Sequence, residues 1–432
     1  MEKKFLQSYF FLLFLIIPIS ILIGPAISLI NILLIDLSFI IFIFYTKKFD
    51  IFNHLVVRIL IILYIYLIFN SFIALDFSLS VSRNFGFLRF IVLFVAVNYF
   101  FYYFSKFDKI LFFWFIIISI AVFDTYFEYY HGTNILGFGG IAEIYGSRIV
   151  SFFKDEPIMG GYIFGFFFII LGFLFKFYYH DENKVRKVLI LLFSVLVITS
   201  IILTGERSNT LKAIFALILF YTFNKNFSIK QKILSFLIFS FIFFSSVIYF
   251  TNFDPEDRTS YYGEKQSFFQ NKYGSQFLSN FSSEEKREKF FKENIYMNIY
   301  RSGINVFKNY PFFGVGNKNY RVESCKLEVE NDVYYLCETH PHNIYIEFLA
   351  EHGLFGTILF LSILFFLFFR ILKIIIISGD LIQIGCFVYL IANFIPLLPG
   401  GAFFGDFNST IFWINFSLMH ACNKKTNIFQ SH

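Results

Sequence analysis

A chain of 432 residues would ordinarily divide into two or three soluble domains, but 57% of it is hydrophobic and only 15% charged. Its mean hydropathy of +0.66 lies far outside the soluble range. A water-soluble globular fold is thereby excluded in favour of a membrane protein. The net charge of +6 does not signal a nucleic-acid partner, because the excess lysines and arginines sit in short clusters between apolar runs, where membrane topology places them. The 71 phenylalanines are spread evenly and mark composition rather than a stacking platform.

A bilayer core of about 30 Å needs about 20 apolar residues per helix. In chain order the sequence offers twelve such stretches, beginning near Tyr9, Ala26, Leu55, Phe85, Ile110, Met159, Val188, Ser208, Ile233, Asn343, Leu381 and Phe403. The fold class expected is an all-α polytopic membrane protein. Residues 1–250 would hold spans one to nine, 251–341 a large loop with amphipathic helices, and 342–432 spans ten to twelve. Lys3 and Lys4 before the first apolar run resemble a signal peptide, but no small-residue cleavage site follows and a second span begins after the Gly24-Pro25 turn, so a retained helix is expected.

Orientation follows from the basic residues. With the N-terminus cytoplasmic, alternate connections hold Lys47, Lys48, Lys106, Lys109, Lys176, Lys184, Arg186, Lys187, Lys225, Lys230, Lys232, Arg370, Lys373, Lys424 and Lys425, which with Lys3 and Lys4 make 17. The short connections on the other side hold 4: Arg83, Arg148, Lys154 and Arg207. Both termini are therefore expected in the cytoplasm, with the segments Tyr130 to Pro157 and Thr251 to Pro341 outside it.

Cysteine usage agrees. Cys386 and Cys422 fall in or beside spans and read as small apolar residues, whereas Cys325 and Cys337 both lie in the large loop. In an oxidising compartment they would form a disulfide contributing about 3 kcal/mol; two free thiols are the alternative. Within the same loop, Ser282 and Ser283 before Glu284 and Glu285 carry an N-cap signal, and a helix over Phe281 to Tyr300 is expected.

Charges at the membrane edge are expensive, so each is a candidate site. Arg207, in Thr204-Gly205-Glu206-Arg207-Ser208-Asn209, lies where a new helix begins, beside an anion-binding N-terminus. A guanidinium there could seat a diphosphate, snorkel to lipid headgroups or pair with Glu206. Lys212 is either a further cation or another snorkelling side chain, and Arg148 faces either a lipid diphosphate or headgroups. Asp36 and Arg89, both within spans, read as a structural ion pair. The loop supplies Arg301, then Tyr310-Pro311-Phe312-Phe313-Gly314-Val315-Gly316, then Thr339-His340-Pro341-His342-Asn343. A neutral His342 could accept a proton from a hydroxyl, or the histidine pair could be structural. His340, His342 and Glu338 match known metal-ligand spacings poorly, so no metal is expected.

His342-Asn343, nine residues, Gly353, two residues, Gly356 resembles the His-Asn-x9-Gly-x-x-Gly pattern of the O-antigen ligase and polymerase superfamily of bacterial membrane proteins. Pro311 to Gly316 is similar to its Pro-x-x-Gly-x-Gly feature. Arg207 in Gly-x-Arg, the loop Arg301, the topology and the segment Gly146 to Gly161, which contains Arg148 and Phe153-Lys154-Asp155-Glu156-Pro157, extend the likeness over about 150–420. Gly353 and Gly356 read as close helix packing rather than chemistry.

The resemblance implies a GT-C-like, cofactor-free glycosyltransferase of the bacterial inner membrane, with about twelve transmembrane helices, a large periplasmic loop before the tenth and its active site facing the periplasm. The donor would be a glycan on undecaprenyl diphosphate. The acceptor would be a lipid A core sugar in a ligase, or the growing glycan in a polymerase. It also implies that Arg207 and Arg301 grip the diphosphate and His342 takes the acceptor proton; Arg148, Lys212, His340 and Asn343 are the further substrate contacts expected in this sequence. The ligase is favoured because the His-Asn motif is close to the ligase form, and the polymerase is the alternative. A transporter of lipid-linked glycans is the rival of another class, but it should show two related halves and midplane charges, and here the candidate residues gather at one face.

Overall fold

A computed structural model describes residues 2–47, 49–104, 106–139, 148–154, 156–179, 184–252, 279–326 and 335–430. Gly146 and Asp155, and residues 253–278 and 327–334 of the large loop, lie outside these. Among the described residues there is no strand, and the chain is an all-α polytopic membrane protein. In chain order the helices are α1 (Glu2–Leu15), α2 (Ile17–Ile23), α3 (Pro25–Thr46), α4 (Leu55–Phe72), α5 (Phe77–Gly86), α6 (Leu88–Tyr103), α7 (Phe107–His131), α8 (Met159–Phe177) and α9 (Lys184–Leu203). They continue with α10 (Arg207–Phe223), α11 (Ile229–Asn252), α12 (Glu284–Glu293), α13 (Ile295–Asn309), α14 (Tyr320–Ser324), α15 (Ile344–Ser378), α16 (Leu381–Ala392) and α17 (Asp406–Ala421).

Among the described residues, 8 helical segments are long and apolar enough to cross a membrane, with α5 and α6 forming one of them. The expected spans beginning near Tyr9, Ser208, Leu381 and Phe403 correspond to shorter helices. The helix over Phe281 to Tyr300 is two helices, α12 and α13. Asn294 divides them because its side-chain oxygen accepts from the Tyr296 and Met297 amides at 3.0 and 3.3 Å and restarts the helix.

The chain forms two compact units. The first comprises Met1–Asn31, Tyr103–Arg287 and Ile375–Asn393. Its centre is α8, buried almost without interruption from Met159 to Phe175 because α7, α9, α10 and α16 surround it. Small residues let α8 and α16 touch: a Cβ on Gly172 would meet the Leu381 carbonyl oxygen at 2.3 Å, and one on Gly385 the Phe168 carbonyl oxygen at 2.0 Å. The first apolar run is broken by Pro18, which has no N–H to offer the Phe14 carbonyl. The indole of Trp114 supplies the missing donor at 3.0 Å, and the Tyr162 hydroxyl donates to the Pro18 carbonyl at 3.1 Å.

The second unit comprises Ile32–Tyr102, Glu288–Ile374 and Phe394–His432. Aromatic side chains at the start of and along α6 interlock with those of α17, with Phe87, just before α6, edge-on to Trp413 at 5.2 Å and Phe94 against Phe416 at 5.5 Å. Arg89 pairs with Asp406 at 2.6 Å, not with Asp36 as the sequence suggests. Both carboxylate oxygens of Asp36 are buried without a hydrogen-bond partner among the described residues.

The feature that organises the second unit is a break in α15 at Gly353, where φ is 63° and ψ −168°. A break leaves unpaired carbonyls before it and unpaired amides after it. The segment Pro311–Gly316 satisfies both sets. Val315 and Gly316 donate to the Ala350 and Glu351 carbonyls at 2.9 Å each, while Leu354 and Phe355 donate to the Pro311 and Phe312 carbonyls at 2.8 and 3.1 Å. The two glycine motifs read separately in the sequence are thus halves of one interlock. A Cβ at position 353 would lie 2.4 Å from the Phe312 backbone as well as requiring left-handed φ. Gly353→Ala is expected to destabilise the protein by more than about 2 kcal/mol, measured as a lowered melting temperature in detergent. An unchanged melting temperature would contradict the interlock.

Candidate functional site

In the first unit, α10 opens with Arg207, and the preceding Glu206 collects its neighbours. The Glu206 carboxylate accepts from the Gly160 amide at 2.6 Å and from the Asn209 side chain at 2.5 Å. Burial pushes its carboxyl upward, opposed by Asn209, the Gly160 amide, the Arg148 charge and the Gly161 amide. Lys212, only 6% exposed, is electrostatically coupled to the same carboxylate. Arg148 and Lys212 are therefore assembled around Glu206, with Arg207 the next residue in the chain. The Arg148 Nε is buried without a hydrogen-bond partner among the described residues.

The segment carrying Arg148 is pinned by two carboxylates of α7 that sequence reading passed over. Glu128 accepts from the Val150 and Ser151 amides at 3.1 and 2.6 Å. Asp124 accepts from the Ile135 amide at 2.9 Å and from the Ser151 hydroxyl. Asp124 and Glu128 are four residues apart, so they share a helix face, and that spacing within an apolar run is the signal that could have revealed them.

The second unit holds the histidines. His342 adopts a left-handed backbone, φ 53°, a conformation a branched-ring residue keeps only when its surroundings impose it. Gly400 does so from two sides: its amide donates to the His342 carbonyl at 2.8 Å, and its carbonyl faces His342 Nδ1 at 3.2 Å. A carbonyl can only accept, so Nδ1 carries the proton and Nε2 presents its lone pair. Burial lowers the His342 pKa, against the Gly400 bond and the Glu338 charge, which raise it. His340 lies 4.0 Å away, ring centroid to ring centroid, and is pushed down to about 4 by burial and then by His342. Both imidazoles are neutral at pH 7.

Tyr296 of α13 meets His342 edge-on at 5.8 Å, so the helix bearing Arg301 packs beside it. Its Tyr300, Ser302 and Gly303 are buried, whereas Arg301 is exposed and reaches the Asn298 side-chain oxygen at 3.1 Å. Asn343 is buried and starts α15, accepting from the Tyr345 and Ile346 amides at 3.1 and 3.3 Å; its oxygen is engaged by the helix. Cys325 and Cys337 are joined by a disulfide. Thiol labelling of membranes, read by peptide mass spectrometry, should therefore modify neither until a reductant is added; modification without reduction would contradict the bond. Buried Cys386 and Cys422 are expected to stay silent.

Sequence reading also passed over Glu347 and Glu351, one turn apart on the buried face of α15. Glu347 accepts from the Phe403 amide with both oxygens, at 3.0 and 2.9 Å, and Glu351 accepts from the Tyr320 amide at 3.2 Å. They tie α15 to the segment just after Gly400, the partner of His342, and to the turn just after the Pro311–Gly316 interlock. Among the described residues no group of three or more histidine, cysteine, aspartate or glutamate side chains could hold a metal ion.

Residues 192–361 match the family described as O-Antigen ligase. The matched stretch contains Arg207, Lys212, Arg301, both disulfide cysteines, His340, His342 and Asn343, and leaves Arg148 outside. It supports the O-antigen ligase and polymerase superfamily that the motifs resemble. That family implies a ligase or polymerase type of function on a lipid-linked glycan and a glycan acceptor, in a multi-pass bacterial membrane protein. No curated protein matches the chain.

Proposed function

We propose that this protein is a ligase-type glycosyltransferase, moving a glycan from undecaprenyl diphosphate to a lipid A core hydroxyl at the periplasmic face of the inner membrane. The observation that carries this reading is His342, a neutral imidazole with Nδ1 held by the Gly400 carbonyl and Nε2 left to accept a proton. The orientation, with both termini cytoplasmic, rests on the asymmetry of the basic residues.

In the proposed reaction the acceptor O–H gives its proton to His342 Nε2 as its oxygen bonds to the anomeric carbon. The bond from that carbon to the diphosphate breaks, its electron pair leaving with the phosphate oxygen, and attack from the opposite side inverts the centre. A diphosphate leaves readily once cations offset its charge, so the protein needs positioning, a base and electrostatic stabilisation rather than a metal or nucleotide sugar. Arg207 and Arg301 are assigned to the diphosphate from the motifs they occupy. Arg suits that task because its planar fork meets phosphate oxygens in pairs. The Arg148, Glu206 and Lys212 cluster would hold the start of α10, and with it Arg207, in place. His340, whose ring lies against His342 at a tilt of 45°, would help keep that imidazole oriented.

The test is a glycolipid gel of cells lacking the gene, together with extraction of their polyprenyl-linked glycans. Core glycolipid without polymer, with long polymer stranded on the carrier, is the expected result. A core carrying a single repeat unit would make the protein a polymerase, with the acceptor changed and the chemistry retained. Normal glycolipid would overturn both.

A further inference from the structure

The second unit contains a set of cations that the proposed transfer does not use. The turn after the interlock is stapled to the α4–α5 connection: the Asn317 amide donates to the Asn70 side chain at 2.8 Å, and the Asn317 side chain donates to that of Asn84 at 2.6 Å. The Asp76 amide donates to the Asn319 side chain at 2.6 Å, and the Leu75 amide to the Val315 carbonyl at 3.0 Å. Lys318 lies between the two asparagines and Arg83 is next to Asn84, so these bonds bring the segments that carry the two cations together, close enough for the Arg83 charge to act on Lys318. Arg321 follows in α14. Lys318 is itself held in a left-handed backbone, φ 65°, which a lysine has no intrinsic reason to adopt.

None of the three forms an ion pair with a described residue. Arg83 spends a donor on the Phe404 carbonyl, and Arg321 Nε is buried with no hydrogen-bond partner among the described residues. Of the acids nearby, Asp406 pairs with Arg89, Glu347 accepts from the Phe403 amide and Glu351 from the Tyr320 amide, while both glutamates also feel the Arg83 charge and Glu351 that of Arg321. Burial, then the charges of Arg83 and Arg321, lower the Lys318 pKa, with Asp406 opposing. Lys318 is repelled by both arginines, and an anion carrying two charges and several acceptor oxygens relieves that repulsion and gives the buried Arg321 Nε an acceptor.

We infer that Arg83, Lys318 and Arg321 form a subsite for a phosphate group, distinct from the two arginines assigned to the leaving diphosphate. The site itself does not depend on the glycosyltransferase reading; only the identification of the phosphate as one borne by the glycolipid substrate rests on that reading.

The test uses the full-length protein in detergent micelles, with acylation of Lys318 by an amine-reactive ester at pH 7.5 followed by peptide mass spectrometry. Millimolar inorganic phosphate should slow the modification several-fold while chloride of equal ionic strength does not. Arg321→Gln should abolish that protection and His342→Ala should leave it intact, which separates this site from the transfer chemistry. Broadening of the phosphorus resonance of inorganic phosphate, lost in Lys318→Gln, is the second readout. Protection by a hexose phosphate but not by phosphatidylglycerol vesicles assigns the site to substrate; the reverse assigns it to a lipid headgroup. Equal protection by chloride, unchanged protection in Arg321→Gln, or no broadening by phosphate would overturn the inference.

Discussion

His342→Ala is expected to lower glycan transfer by at least about 10²-fold, the range a positioned general base supplies, while the protein remains in the membrane at wild-type level. The expectation follows from how the ring is held. Nδ1 is committed to the Gly400 carbonyl at 3.2 Å and the His342 carbonyl to the Gly400 amide at 2.8 Å, so the imidazole is oriented before substrate arrives. The pH profile provides a second check. The basic form is the active one, and burial lowers the His342 pKa below its ordinary 6.5. Transfer should thus stay level at neutral pH and fall only as the pH drops below the ordinary imidazole range. A decline setting in above pH 7, or near-normal transfer in His342→Ala, would remove the general-base assignment. Because the alanine variant could disturb the Gly400 contact, His342→Gln is the companion: its side-chain amide can still donate to that carbonyl but cannot take the proton, and it should be equally inactive.

Arg207→Lys and Arg301→Lys are expected to lower kcat/KM by about 10–100-fold each, although charge is conserved. A point charge recovers part of the attraction to a diphosphate, but not the paired, planar hydrogen bonds of a guanidinium, and each 1.4 kcal/mol is a factor of ten. The two sites differ in surroundings. Arg207 begins α10 beside the half-buried Glu206, whose carboxylate is already bonded to Gly160 and Asn209. Arg301 projects from the exposed face of α13, with Asn298 as its neighbour at 3.1 Å. Arg301→Lys should therefore leave stability unchanged, and its defect should read as chemistry alone. Two mild defects, below about threefold, would argue against bidentate diphosphate binding and for headgroup contact.

Much of this protein was legible in its sequence because membrane insertion is decided locally. A run of apolar residues leaves water by its own composition, and so the long helices begin near Ala26, Leu55, Ile110 and Met159 as expected. The Gly24-Pro25 turn ends a helix for reasons internal to two residues. The Cys325–Cys337 pairing and the His342-Asn343 and glycine motifs could also be read in the linear chain.

Tertiary structure decided what depends on a distant partner. Gly353 reads as a packing residue, yet it breaks α15 because the backbone of Pro311–Gly316 is there to take up the freed hydrogen bonds. Glu128, Glu347 and Glu351 look like costly charges in apolar helices. Each is buried because backbone amides far along the chain donate to it. Asn343 reads as a substrate contact, but its oxygen caps the helix that follows. Arg89 finds Asp406 rather than Asp36. In each case a buried polar group must be satisfied, and sequence states the need without naming the donor. Hydrophobic content chose which segments enter the membrane, and non-local hydrogen bonding chose how their ends are held to make a site.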